Sequence, residues 1–338
     1  MKRICVLFVA TLLVATAFAQ PKKQPAPERE GWKNHYEKDA LQPIYGDVKM
    51  VAVTKYHLNE KFGELVKGGC QYTMSYEFNQ QGDVVSYMYQ VPESGGYIVK
   101  DWFWKYNSEG KVKDISVYSK YVRWDDNGNN KNSELYKKYI YTYDSSGNLI
   151  VLATYDDDGL LEGKTIVRYD ANGNAIEESQ FKPSGYAKSR RFFKYDTNGN
   201  IIEELDANSI PNYKYKYDSW GNRIEVELYD TAGCVESRYE YEYNSNGDVI
   251  RFSVYGGYDN SLRGENRYSY VYDSAGNRIE KAKYYQEGPL DRKYVWKYDT
   301  VGNVVEETCF VGDAMVPEYI IEYDIVYREQ NEYKVFIE

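Results

Sequence analysis

The stretch Tyr213–Leu228, YKYKYDSWGNRIEVEL, decides the fold. Before its aspartate every second residue is a tyrosine. After its glycine every second residue, starting at Ile224, is aliphatic. That is the period of a β-strand, whose successive side chains point to opposite faces. Between the two runs stands Asp218-Ser219-Trp220-Gly221. An aspartate side chain can accept from backbone N–H groups two or three residues on, and glycine takes the left-handed conformation at no steric cost. The stretch therefore reads as a hairpin that reverses between Tyr217 and Asn222.

Side-chain parity constrains the loop. A three-residue loop would set the tyrosines opposite Arg223 and Glu225. A four-residue loop, Asp218 to Gly221, pairs Tyr217 with Asn222 and Tyr215 with Ile224. Only the even loop gathers the apolar groups, because a one-residue slip turns a whole strand over. The next hairpin agrees: Tyr239, Tyr241 and Tyr243 join Ile250, Phe252 and Val254, and Glu240 falls opposite Arg251. The expectation is an inner face of tyrosines and aliphatics with a charged face behind it.

The phrase recurs. Its glycines are Gly147, Gly173, Gly199, Gly221, Gly247, Gly276 and Gly302, spaced 26, 26, 22, 26, 29 and 26 residues apart. Its turn aspartates are Asp144, Asp170, Asp196, Asp218, Asp273 and Asp299. FNQQG (Phe78–Gly82) and YNSEG (Tyr106–Gly110) repeat the grammar in weaker form, and DDDG, KPSG, DTAG and QEG supply a second turn midway through several periods. A fixed period of this size means a repeat architecture, and two strands with two turns per period mean an antiparallel meander. Roughly sixteen to twenty twisted strands are too many to stay flat. The expected fold is all-β: a meander of 26-residue two-strand repeats, curled into a rolled or spiral single-layer shell.

YDANGNAIEESQ (Tyr169–Gln180) and YDTNGNIIEELD (Tyr195–Asp206) resemble the YD repeats of the Rhs and teneurin group. The likeness is clear from Tyr139 to about Thr308 and weaker from Tyr72 to Gly110. It implies a bacterial secreted or surface β-protein. The large members close shells around toxic domains, but no Asp-Pro self-cleavage segment and no toxin domain is recognisable here, so that role is not carried over. The aromatic cell-wall-binding repeats are a weaker match, since their Gly-Trp signature is missing.

The flanks read differently. Residues 1–19 have a basic start at Lys2 and Arg3, an apolar run and Ala17-Phe18-Ala19 before Gln20, as in a secretory signal peptide. Residues 20–31 (QPKKQPAPEREG) form a Pro-rich leader. Residues 32–134 are expected to hold degenerate repeats, continuous with a YD-repeat domain over 135–338. The chain is thus expected to be exported, to the periplasm, the cell surface or beyond.

Composition narrows the chemistry. There are 42 Lys+Arg against 52 Asp+Glu, and nucleic acid or anionic lipid would need clustered positive charge. The two histidines, His35 and His57, both precede the clear repeats, and no GxSxG, HExxH or P-loop is present. The turn aspartates have a structural role. WDDNGNN (Trp124–Asn130) and YDDDG (Tyr155–Gly159) lack the spacing of a calcium loop. Cys70, Cys234 and Cys309 are far apart and read as small buried apolar residues rather than a disulfide framework. No segment after the signal is apolar enough for a membrane helix, and a transmembrane barrel is disfavoured because one strand face is tyrosine-dominated and the other charged. No metal, cofactor or catalytic residue is expected.

The aromatics remain as ligand-binding candidates: Trp220, Trp124, Trp102, Trp104 and the doublet Tyr284-Tyr285. Trp220 holds a loop position that Ser, Asn, Ala or Val takes in the sister turns. The expected function is non-catalytic binding of a glycan or a surface protein. The alternatives are a purely structural envelope component and a glycan-acting enzyme with a carboxylate pair.

Overall fold

The computed structural model describes residues 44–93, 96–123, 134–286 and 288–328. The expected signal peptide (residues 1–19), the Pro-rich leader (20–31) and Trp124 lie outside them. Twenty strands belong to one sheet, with no helix among the described residues. They are β1 (Val48–Lys61), β2 (Glu64–Phe78), β3 (Val84–Glu93), β4 (Gly96–Tyr106), β5 (Val112–Arg123), β6 (Glu134–Tyr143), β7 (Leu149–Tyr155), β8 (Leu161–Tyr169), β9 (Ala175–Phe181) and β10 (Ala187–Tyr195). After them come β11 (Ile201–Leu205), β12 (Pro211–Tyr217), β13 (Arg223–Tyr229), β14 (Val235–Tyr243), β15 (Val249–Gly256), β16 (Leu262–Tyr272), β17 (Arg278–Tyr285), β18 (Leu290–Tyr298), β19 (Val304–Val311) and β20 (Val316–Tyr327).

From β1 to β5, β7 to β15 and β16 to β20 successive strands pair antiparallel, as a meander requires. The expectation of a rolled or spiral shell fails at the ends of the chain. β1 pairs antiparallel with β20, with Val51 opposite Ile325, Val53 opposite Tyr323 and Lys55 opposite Ile321. The sheet is therefore a closed barrel. An open roll would leave a row of unpaired N–H and C=O groups on each edge strand, and closure satisfies both rows. An even strand number lets the first and last strands of a meander meet antiparallel.

The contacts divide into two compact units. One contains residues 140–155 and 160–265; the other contains residues 33–139, 156–159 and 266–338. In the second unit Val51, Val53, Tyr72, Met74, Cys309, Tyr319 and Ile321 form a buried cluster around the β1–β20 seam. In the first, Leu152, Val167, Val226 and Phe252 are buried. Both cores lie on the tyrosine face: Tyr215 is opposite Val226 and Tyr241 opposite Phe252. The opposite face carries cross-strand ion pairs, among them Lys216–Glu225 at 2.7 Å, Lys194–Glu203 at 2.6 Å and Lys297–Glu306 at 2.7 Å.

The register differs from the four-residue loop expected above. Tyr217 is opposite Arg223 and Lys216 opposite Glu225, so Ile224 is an extra, bulged residue. Glu240 faces Ser253, and Arg251 faces Glu242. The loop is five residues long, closed by Asp218 N donating to the Asn222 carbonyl at 2.9 Å and Gly221 N donating to the Asp218 carbonyl at 3.1 Å. Five loop residues plus one bulged residue keep the parity even, so the side chains share the expected face although their partners move by two. The same step recurs after the other YD turns: Tyr169 meets Ala175, Tyr195 meets Ile201 and Tyr243 meets Val249, each with a one-residue shift.

The bulge explains why the phrase needs a tyrosine. A bulge disrupts the local ladder. Among the described residues the tyrosine of the next YD phrase donates its hydroxyl to the carbonyl of the residue opening the earlier bulge, and Tyr106 of the weaker YNSEG phrase does the same to Val84 at 2.5 Å. Tyr169 reaches Leu149 at 2.8 Å, Tyr195 reaches Ala175 at 2.6 Å, Tyr217 reaches Ile201 at 2.7 Å, Tyr243 reaches Arg223 at 2.6 Å and Tyr298 reaches Arg278 at 2.6 Å. Aspartate, or asparagine at Asn79, Asn107 and Asn244, makes the turn, and the following tyrosine ties it to the next hairpin.

At the last YD turn the pattern is diverted. In the sister turns the fifth-position asparagine donates to its own aspartate, as Asn174 does to Asp170 at 3.0 Å. Asn303, fully buried, instead donates to the Tyr45 carbonyl at 2.9 Å and accepts from the Tyr45 N–H at 2.6 Å. Tyr327 donates to Asp299 at 2.5 Å in its place. Arg328 adds bonds to Asp47 at 2.6 Å, to the Val48 carbonyl at 2.9 Å and to the Asn79 carbonyl at 2.8 Å. These contacts clasp the chain leading into β1 against the strands of the seam.

Candidate functional site: the turn rim around Trp220

Each YD turn is an Asp-centred loop with glycine fourth. Asp218 Oδ1 accepts from the Trp220 N–H at 2.9 Å and the Asn222 N–H at 2.8 Å, and its Oδ2 accepts from the Asn222 amide at 2.9 Å. Gly221 has φ 86°, in the region L-residues avoid. With Asp218 and Gly221 so engaged, the third residue projects outward. That residue is Trp220, 76% exposed. The same bonds lower the carboxyl pKa of the sister aspartates. At Asp144 the Asn148 N–H is the main cause, and at Asp170 and Asp273 it is the side-chain amide of Asn174 and Asn277.

The structure places the turn residues alike. Asp144, Asp170, Asp196, Asp273 and Asp299 each accept from backbone N–H groups of their own loops. Gly147, Gly173, Gly199, Gly247, Gly276 and Gly302 all have positive φ. The other aromatic candidates do not join Trp220. Trp102 and Trp104 are half-buried on the tyrosine face of β4, Trp102 with its ring 4.8 Å from Tyr87 and Trp104 opposite Ile115. Tyr284 is half-buried opposite Leu290, and the neighbouring Tyr285 is 52% exposed with the Lys283 ammonium 4.9 Å from its ring centre. These four belong to the second unit and Trp220 to the first.

Sequence reading missed the charges that sit on the tyrosine face. Arg191 lies between Glu178 at 2.9 Å and Glu204 at 3.7 Å, and the Tyr215 hydroxyl donates to Glu204 at 2.7 Å. In the other unit Lys281 and Lys283 are buried, Lys281 4.9 Å from the Tyr268 ring centre and Lys283 paired with Asp291 at 2.9 Å. Strand parity was the available signal, since Glu178, Arg191 and Glu204 fall in the inward set. Glu178 and Glu204 are carboxylates off the turns, but a shared arginine holds both in ion pairs. A cleft of about 520 Å³ lies between the last two YD turns, lined by Asp273, Asn277, Trp296, Tyr298, Asp299 and Val301. Its Trp296 ring nitrogen donates to Glu307 at 2.8 Å. The cysteines also depart from the buried reading: all three are unpaired, but only Cys309 is buried, and Cys70 and Cys234 are exposed. His57 is a strand residue, its ring nitrogen 2.9 Å from the Gln71 amide.

No family model matches the chain, and no curated protein matches it. Among solved structures it is similar to the TcdB2-TccC3 crystal structure, at 15% identity over 79% of this chain and 16% of that one, with a TM-score of 0.38. It is similar to the Photorhabdus luminescens Tc holotoxin pore at 11% identity over 75% of this chain and 16% of that one, TM-score 0.33. A porin-like protein from Bacteroides uniformis matches at 10% identity over 82% of this chain and 97% of that one, TM-score 0.33. The chain thus spans only 16% of the length of those two toxin chains. These likenesses are too remote to assign a family or an activity.

Proposed function

We propose that this is an exported, non-catalytic binding module that engages a glycan or a surface protein through the turn rim around Trp220. The exposure of Trp220 carries the reading. A tryptophan 76% open to solvent leaves most of its apolar surface unburied, while its N–H is held by Asp218 within the turn. The inward tyrosines of the YD strands, among them Tyr215 and Tyr241, are engaged in core packing, and Tyr195, Tyr217 and Tyr243 in bulge-capping bonds, so these support folding; Tyr186 and Tyr258 are as exposed as Trp220 but lie outside the YD turns. The secretory character of residues 1–19 and the resemblance to YD repeats support export. The ion-pair ladders on the face opposite the tyrosines suit water rather than hydrocarbon. No helix among the described residues is long and apolar enough to cross a membrane.

The test compares the chain beginning at Gln20 with its Trp220→Ala variant, on a glycan array and in pulldowns from surface-protein extracts. The variant is expected to fold as wild type and to lose the captured ligand. Capture that is indifferent to Trp220 sinks the reading.

A further inference from the structure

Trp220 belongs to a row. In five successive YD turns of its unit the third residue donates its N–H to the side chain of the first. Ser146, Asn172, Asn198 and Trp220 bond to aspartates at 2.8–2.9 Å, and Asn246 bonds to Asn244 at 2.9 Å. The shared bond sets all five residues alike on their hairpins, and all five are exposed. Successive turns lie two strands apart, about 10 Å in a sheet.

The row keeps an even stagger. Tyr169, Tyr195, Tyr217 and Tyr243 each reach the bulge carbonyl of the preceding hairpin, so consecutive turns of the row are locked in the same relative position. The period from Gly199 to Gly221 is only 22 residues, against 26 on either side. The four missing residues come off the opposite rim: β11 has 5 residues where β9 and β13 have 7, and β12 has 7 where β10 and β14 have 9. Around Trp220 the row is undisturbed.

The chemistry of the row is polar and neutral at its tips. Asparagine amides flank the tryptophan, two on one side (Asn172, Asn198) and one on the other (Asn246). An amide both donates and accepts, as a sugar hydroxyl does. The C–H face of a pyranose ring fits an indole face. Beneath the tips sit the carboxylates Asp170, Asp196 and Asp218, which would repel an anion.

We infer that Asn172, Asn198, Trp220 and Asn246 form one extended site for a neutral oligosaccharide lying across the hairpin tips. Trp220 stacks one ring, and the asparagines bind hydroxyls of rings further along. The inference rests on the binding reading above and narrows it to a ligand class.

The experiment measures binding of neutral oligosaccharides of increasing length, with uronic-acid oligomers as the charged comparison. Wild type, Trp220→Ala, Asn172→Ala, Asn246→Ala and the control Ser219→Ala are used, with circular dichroism confirming the fold of each. Affinity should rise with chain length of the neutral ligands and fail for the uronic series. Trp220→Ala should cost about tenfold. Asn172→Ala and Asn246→Ala should each cost several-fold, and only for ligands long enough to reach them. Length-independent binding indifferent to both asparagines overturns the row while keeping a Trp220 module. Silence toward every glycan, with a protein captured through Trp220, overturns the sugar class. Binding that ignores Trp220 overturns both.

Discussion

Two turns of the same geometry invite a reciprocal exchange. Gly221 and Ser209 are both fourth in five-residue loops, and each donates its N–H to the first residue's carbonyl at 3.1 Å. Gly221 has φ 86° and Ser209 φ 64°. A Cβ on Gly221 would meet nothing within 4 Å, so substitution there carries a backbone cost without a clash. The left-handed region costs an L-residue about 1–2 kcal/mol, and removing glycine's freedom from the unfolded chain offsets about 0.4–1 kcal/mol of it. Gly221→Ser should therefore destabilise by about 1 kcal/mol, and Ser209→Gly should stabilise by about the same amount. Gly221→Val should be worse than Gly221→Ser, because branching at Cβ adds strain. Ser219→Ala, at a tolerant loop position, should stay within about 0.5 kcal/mol of wild type. Urea unfolding followed by fluorescence gives the midpoints. A Ser209→Gly variant with an unchanged or lowered midpoint would refute the argument that backbone strain governs these turns.

Other consequences are equally direct. Tyr195→Phe keeps the ring but removes the 2.6 Å bond to the Ala175 carbonyl; a loss of about 1–2 kcal/mol in the same urea assay is expected, and no loss would mean the bulge needs no cap. Burial pushes Tyr106, Tyr169, Tyr195 and Tyr213 up to about 12, with nearby carboxylates adding to the shift. A raised folded-state pKa gives stability that is complete below about 10 and lost as pH rises through about 12. Phenolate absorbance and loss of β-structure should therefore rise together in that window, and ordinary titration of these phenols in a folded chain would contradict it. At the acid end the lowered pKa values of Asp144, Asp170 and Asp273 work in the other direction. Their contribution holds above the unfolded carboxylate range and drains away as pH falls below about 4. Asn303→Ala should release the segment at Tyr45, seen as faster amide hydrogen exchange there with β12–β15 unaffected; unchanged exchange at Tyr45 would show that Arg328 and Tyr327 hold the seam without it.

The alternation in YKYKY and IEVEL determined, unaided, that these segments are strands, that tyrosines and aliphatics share a face, and that the strands follow one another antiparallel. Those are properties of neighbouring residues, and a period of two survives any even change in pairing. The same robustness hid the register. A five-residue loop with a bulged Ile224 has the parity of a four-residue loop, so the pattern could not separate them, and only the backbone shows Tyr217 opposite Arg223. Trp220 was legible as an outlier among sister turns, because repetition exposes what does not repeat. Its place in an evenly staggered row was not, since that depends on tyrosine hydroxyls reaching carbonyls one hairpin away. The charges on the inner face needed burial and distance to interpret. Closure lay furthest from the local pattern: the pairing of Val51 with Ile325 and the grip of Asn303 on Tyr45 join opposite ends of the chain. Local periodicity carries no information about whether two distant edges meet. Tertiary structure decided it, by pairing the backbone groups that two free edges would have left open.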